Sequence, residues 1–149
     1  MKLYENLNAW LRVWQSRGYH FTGLMHRYLG NVYGSTWEYE KAIDDFTHAI
    51  EINPGFAQAY LDRGILYWRE LDHPRRAVID LTTALNLNPD LSEARFNRAI
   101  AYQQLREYEN AVNEFKAYLA VGKHPHWREY AEKMVQELSE WIPKTKIIH

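Results

Sequence analysis

The stretch AYLDRGILYWRELDHPRRAVIDLTTALNLNP, residues 59–89, decides the fold because its landmarks recur on both sides of it. Gly64, Tyr67, Ala77, Leu81, Ala84 and Pro89 are answered upstream by Gly30, Tyr33, Ala42, Phe46, Ala49 and Pro54. Downstream they are answered by Ala99, Tyr102, Ala111, Phe115 and Tyr118. Gly30 to Gly64 and Tyr33 to Tyr67 are 34 residues apart, whereas Ala42 to Ala77, Phe46 to Leu81 and Pro54 to Pro89 are 35. One residue therefore enters between Tyr67 and Ala77. Leu71-Asp72-His73-Pro74 lies in that interval, and Pro cannot continue a helix, so the insertion belongs to a turn. The spacing returns to 34 from Ala77 to Ala111.

Within the middle block the apolar residues follow three- and four-residue steps, first Tyr60, Gly64, Tyr67 and Trp68, then Ala77, Val78, Leu81, Ala84 and Leu85. Each block thus reads as a helical hairpin. Gly30 and Gly64 fall inside the first helices, where Gly costs about 1 kcal/mol against Ala, so a close approach of the paired helix is expected to offset it. Ala42, Ala77 and Ala111 are the matching small residues on the second helices, with Tyr33, Tyr67 and Tyr102 filling the space beside them. Asn53-Pro54 and Asn88-Pro89 stop the second helices. Such hairpins bury their apolar faces only against one another, and the resulting array presents a long surface to a partner.

The pattern of a small residue, Tyr, Ala, an aromatic, Ala and Pro at this period resembles the tetratricopeptide repeat family over about residues 23–124. The Trp that the family carries early in each first helix is His26, Tyr60 and Arg95 here, and the third block ends in Gly122-Lys123 instead of Asn-Pro. The resemblance implies an all-α, right-handed solenoid of three helix-turn-helix repeats with capping helices at both ends. Its parts would be an N-terminal helix in 1–22, repeats in 23–56, 57–91 and 92–124, and a capping helix and tail in 125–149.

It also implies a non-catalytic scaffold whose first helices line a concave groove for an extended peptide. Carried over by position, that groove takes Leu24, Arg27 and Asn31 from the first repeat. The second supplies Gln58, Leu61, Asp62, Ile65, Trp68 and Arg69, and the third Glu93, Phe96, Asn97, Ile100, Gln103 and Gln104. Asn and Gln amides would pair with a peptide backbone, while Trp68, Phe96 and Ile100 would receive apolar side chains. One subclass of the family grips a C-terminal carboxylate with basic residues and Asn. Arg27 and Asn31 match that clamp, but Asp62 replaces an Asn, and Glu93 and Asn97 replace two basic residues. A negative side chain where a carboxylate should dock lowers affinity, so a neutral or basic segment is the better expectation.

Two flanks lie outside the repeats. Leu3, Leu7, Trp10, Leu11 and Trp14 form an apolar stripe that Gly18 interrupts, giving one helix from about Leu3 to Arg17. Trp127, Tyr130, Met134, Leu138 and Trp141 form another, opened by Pro125 and stopped by Pro143. Both are read as caps. Trp10 and Trp14 also suit self-association, since Tyr4 and Val13 broaden their face, and a self-assembling scaffold or accessory subunit is the alternative reading.

The remaining composition narrows the function. The 149 residues suffice for one domain with a continuous core, and no Cys is present, which fits a reducing, cytoplasmic setting. The sequence shows no signal-peptide stretch and no apolar run long enough to cross a membrane. A formal net charge of -1 offers no basic surface for nucleic acid. Asp45, Asp80 and Glu114 recur three residues after each core Ala and so belong to the repeat architecture, not to a catalytic pair. His124-Pro125-His126 lacks further ligands, so no metal or cofactor is expected, and Ser16, Ser35, Ser92 and Ser139 have no nucleophile-elbow context. Arg75-Arg76 and Lys144-Thr145-Lys146 read as solvated charge.

Overall fold

The computed structural model describes residues 2–145; Met1 and 146–149, including Lys146 of the basic tail, lie outside the described residues, as do the side chains of Lys2, Leu3 and 143–145. The described chain is all helical: α1 (Lys2–Tyr33), α2 (Thr36–Ile52), α3 (Ala57–Arg69), α4 (Pro74–Leu87), α5 (Ser92–Gln104), α6 (Tyr108–Val121) and α7 (Pro125–Thr145). Helices α1–α2, α3–α4 and α5–α6 pair as three hairpins, each packs on the next, and α7 lies against α6 as a cap. Each hairpin turn has one residue with positive φ: Gly34 at 61°, Asp72 at 52° and Arg106 at 61°. The inserted residue is absorbed in the α3–α4 turn, the longest of the three, which ends with Pro74 in the first turn of α4.

Small residues set the helix spacing. A Cβ on Gly64 would lie 2.9 Å from Leu81 Cγ and 3.3 Å from Asp80 Cβ, so α3 and α4 meet at the distance that only Gly permits there. Gly23 is likewise pressed against the Phe46 ring and Gly30 against the Tyr39 ring. Ala42, Ala77, Ala84, Ala99 and Ala111 are fully buried. Tyr67 and Tyr102 pack against the core as expected. Tyr33 does not: it is 74% exposed, because Tyr39 from α2 already occupies the space beside Gly30.

Two of the three recurring carboxylates, Asp80 and Glu114, are explained by buried bridges. Arg63 donates to both oxygens of Asp80 at 2.7 and 2.8 Å and to Thr47 Oγ1 at 2.9 Å. One repeat later, Arg98 donates to Glu114 at 2.6 Å and to Thr82 Oγ1 at 3.0 Å. Each Arg thus ties its own hairpin to the second helix of the preceding one.

The second helices end as their sequence requires. The Asn53 and Asn88 backbone N–H groups close onto Ala49 and Ala84, and their side chains accept from Gly55 and Asp90. Where the third block has Gly122-Lys123, the Gly122 N–H closes onto Tyr118 in the same way, and the Arg128 guanidinium adds bonds to the Leu119 and Gly122 carbonyls at 2.6 and 2.9 Å.

Three expectations are corrected. No helix break occurs at Gly18, so the N-terminal stripe is the leading half of α1 and not a separate cap; one Gly costs a helix only about 1 kcal/mol. Helix α7 continues to Thr145, past Pro143, since a Pro near a helix end removes one terminal bond. Trp141 of the C-terminal stripe is 55% exposed, while Ala131, Met134 and Leu138 carry the cap's buried contact.

Two substitutions test this packing by urea unfolding. Gly64→Ala should cost about 1–3 kcal/mol through overpacking against Leu81. Arg63→Ala should cost about 3–5 kcal/mol, because Asp80, only 4% exposed, would be left as an uncompensated buried charge.

Candidate functional site

Helices α1, α3 and α5 turn one face to a common cleft, because α1 touches α3 and α3 touches α5 while the second helices stand behind them. The cleft, of about 170 Å³, is lined by Arg27, Asn31, Ile65, Leu66, Arg69, Glu70, Glu93, Asn97 and Trp127. That room suits one or two side chains; small-molecule pockets run from about 300 Å³ upward.

Asp62 organises the cleft. Its side chain is 8% exposed and accepts from Arg27 Nη1 at 3.0 Å and from Gln58 Nε2 at 3.2 Å, with His20 Nε2 at 2.8 Å. The positive charge of Arg27 is therefore committed inside the protein. Arg69 pairs with Glu70 at 3.3 Å. Glu93, in the first turn of α5, differs: its carboxylate accepts no hydrogen bond among the described residues. Burial pushes its pKa up, the Asp62 charge adds to that, and Arg27 opposes it.

Several groove residues from the sequence are spent on internal bonds. Asn97 is buried; its Oδ1 accepts from Trp68 Nε1 at 3.2 Å and its Nδ2 donates to the Glu93 carbonyl at 2.8 Å. It is a crossbar between α3 and α5, with one donor and one acceptor site of its amide already used inside the protein. Gln104 donates to the Trp68 carbonyl at 3.4 Å, Gln58 serves Asp62, and Asn31 accepts from Tyr39 at 3.0 Å while remaining exposed.

Phe96, expected to receive a ligand side chain, is 7% exposed and stacks on Trp127 at 4.9 Å with the planes 8° apart. It belongs to the core beneath α7, against which Ile100 also packs. Leu61 is buried in the α3–α4 core, Leu24 packs against the Ala42 and Phe46 cluster, and Gln103 is turned toward Met134 and Tyr130 of α7. Ile65 stays at the cleft as its apolar floor, beside Leu66.

Trp127 of the capping stripe also lines the cleft, a place its position in the stripe does not indicate. Its signal was its place in the first turn after Pro125, which carries it back over α5. Trp10 and Trp14 sit far along α1, edge to face at 5.6 Å, and are 56% and 54% exposed. His124 stacks on Trp127 at 4.8 Å, and no group of three metal-ligating side chains forms among the described residues. No described helix is long and apolar enough to cross a membrane.

The Glu93 environment gives a signed pH dependence. The folded chain holds this proton to higher pH than the unfolded chain, so its contribution to stability is present at low pH and lost as pH rises past the usual glutamate range. Glu93→Gln should therefore resist urea better than the parent near neutral pH, and the advantage should close as pH falls below about 4.

Tetratricopeptide repeat family models match residues 24–56 and 92–121. Among solved structures, the chain is similar to the TPR domain of Arabidopsis OM64, with TM-score 0.74 and 24% identity over 85% of this chain and 98% of that one. It is similar to the first TPR domain of human RPAP3, with TM-score 0.69 and 21% identity over 86% and 98% of the two chains. A third similar structure is the first TPR of Spaghetti (RPAP3) bound to HSP90 peptide SRMEEVD, at TM-score 0.65 and 24% identity over 80% and 98%. No curated protein matches the sequence.

Proposed function

We propose that this chain, a tetratricopeptide-repeat protein, is a non-catalytic interaction module whose cleft holds an extended peptide, with a basic or neutral side chain set against Glu93. The observation that carries the reading is the charge inventory of the cleft. Arg27 is bound to Asp62 and Arg69 to Glu70, whereas the Glu93 carboxylate is half-buried and unbonded. A bound Lys or Arg would supply the missing charge and relieve that burial.

The related domain bound to HSP90 peptide SRMEEVD holds a ligand with an acidic C-terminal end. Here Asp62, Glu93 and Asn97 occupy the positions where that mode needs Asn or basic residues, so an acidic carboxylate meets two negative side chains. Trp127, with Ile65 at the floor, offers the apolar contact that any peptide in this cleft would share.

Fluorescence anisotropy with matched basic, neutral and acidic peptides tests the reading. The basic peptide should bind at least tenfold tighter than the acidic one, and Glu93→Gln should remove most of that preference, about 1.4 kcal/mol. Asp62→Asn should free Arg27 and shift preference toward the acidic peptide. Equal or tighter binding of the acidic peptide by the unmodified chain would reject the assignment.

A further inference from the structure

The side of α1 that faces away from α2 carries Tyr4, Leu7, Leu11, Trp14, Gly18, Phe21, Met25, Tyr28 and Val32 in strict alternation of three and four residues. Every one of them is exposed, from 45% at Met25 to 75% at Tyr4 among the large side chains. None is charged. We propose that this stripe is a homodimer seam, in which α1 of one copy packs antiparallel against α1 of a second copy.

Four observations support a second copy as the occupant. First, the 3–4 repeat is the pattern of a helix meant to pair with another helix along its length. Second, the same face of α3 is covered by a helix of this chain: Ala59 and Leu66, which correspond to Met25 and Val32 one period earlier, are fully buried in clusters with Ala49, Phe46 and other residues of α2. No described helix covers the equivalent face of α1, whose stripe residues are exposed. Third, residues 4–15 are exposed all round the helix, an extension that would be marginal in water without a partner. Fourth, the area is adequate: eight large side chains exposed by about half, at roughly 150–250 Å² each for the aromatics, offer on the order of 800–1,000 Å² per copy, the size of a standard interface.

Gly18 sets the direction. Unlike Gly23, Gly30 and Gly64, it has nothing within 4 Å of its would-be Cβ, so no contact within the chain accounts for a Gly there. In a parallel pair Gly18 would oppose Gly18, leaving a gap between crowded Trp14 and Phe21 layers. Antiparallel pairing instead sets an aromatic, Trp14 or Phe21, of one copy over Gly18 of the other, matching large to small. The seam is separate from the peptide cleft, none of whose lining residues belongs to it.

The test uses the full chain, with mass by light scattering across a hundredfold range of concentration. The expected mass is twice that of the 17.8 kDa chain, and Leu11→Glu or Phe21→Glu, both at exposed sites, should give monomers that lose at most the helical signal of residues 4–15. Because the sequence has no Cys, Asn8→Cys, exposed and beside the stripe rather than in it, carries a single spin label, and the two labels of an antiparallel dimer should lie about 25–40 Å apart. A chain monomeric at every concentration, including one that instead sediments with anionic vesicles, would overturn the proposal. So would a dimer indifferent to both substitutions, or labels closer than about 15 Å, the parallel result.

Discussion

The structure depends on how closely the two helices of each hairpin approach. A small residue on the first helix lies against a large side chain of the second, Gly64 on Leu81, Gly30 on Tyr39, Gly23 on Phe46. That spacing brings Arg63 within 2.7 Å of Asp80 and Arg98 within 2.6 Å of Glu114, bridges that a wider pair of helices could not form. Because the same Arg residues also reach Thr47 and Thr82 of the preceding hairpin, the intrahairpin distance fixes the stacking of one hairpin on the next. The stacking in turn puts α1, α3 and α5 side by side and so creates the cleft.

What the sequence made legible was whatever repeats. The 34- and 35-residue spacings gave the hairpins, the Leu71–Pro74 segment gave the longer turn, and Asn53 and Asn88 gave the helix ends. Each is a local signal multiplied by recurrence. Features that occur once were harder to read. Gly18 looked like a stop because Gly weakens a helix, yet its cost is small beside the stability of the helix around it. Tyr33 looked like core by analogy with Tyr67 and Tyr102, and no local rule says that Tyr39 takes its place. The cleft shows the same division: positional transfer found Arg27, Asp62 and Glu93, but not that Asn97 is bonded to Trp68 or that Phe96 lies under Trp127. Side-chain partnership across helices is a tertiary property that spacing along the chain does not encode.

Charge in the cleft follows from burial order. Asp62 is the deepest of its ionised groups, and a buried carboxylate must gather donors, so it takes Arg27, Gln58 and His20. Glu93 lies shallower, near enough to feel Asp62 yet with no donor of its own, and its pKa rises accordingly.

The two ends of the array show what the repeat cannot supply for itself. At the C-terminal end, α7 buries Ala131, Met134 and Leu138 against the last hairpin, and Arg128 donates to the Leu119 and Gly122 carbonyls at the end of α6. In the first repeat, Leu29 stands where later repeats have Arg63 and Arg98. The consequence falls on Asp45, the counterpart of Asp80, whose Oδ2 is buried without a hydrogen bond and has only His26 at 3.8 Å. The first repeat therefore gives up a strong internal bridge and holds an apolar outer face in its place. Such an exchange is stabilising only where that face is covered by another apolar surface, because Leu, Trp and Phe in water return nothing for the bridge that was lost.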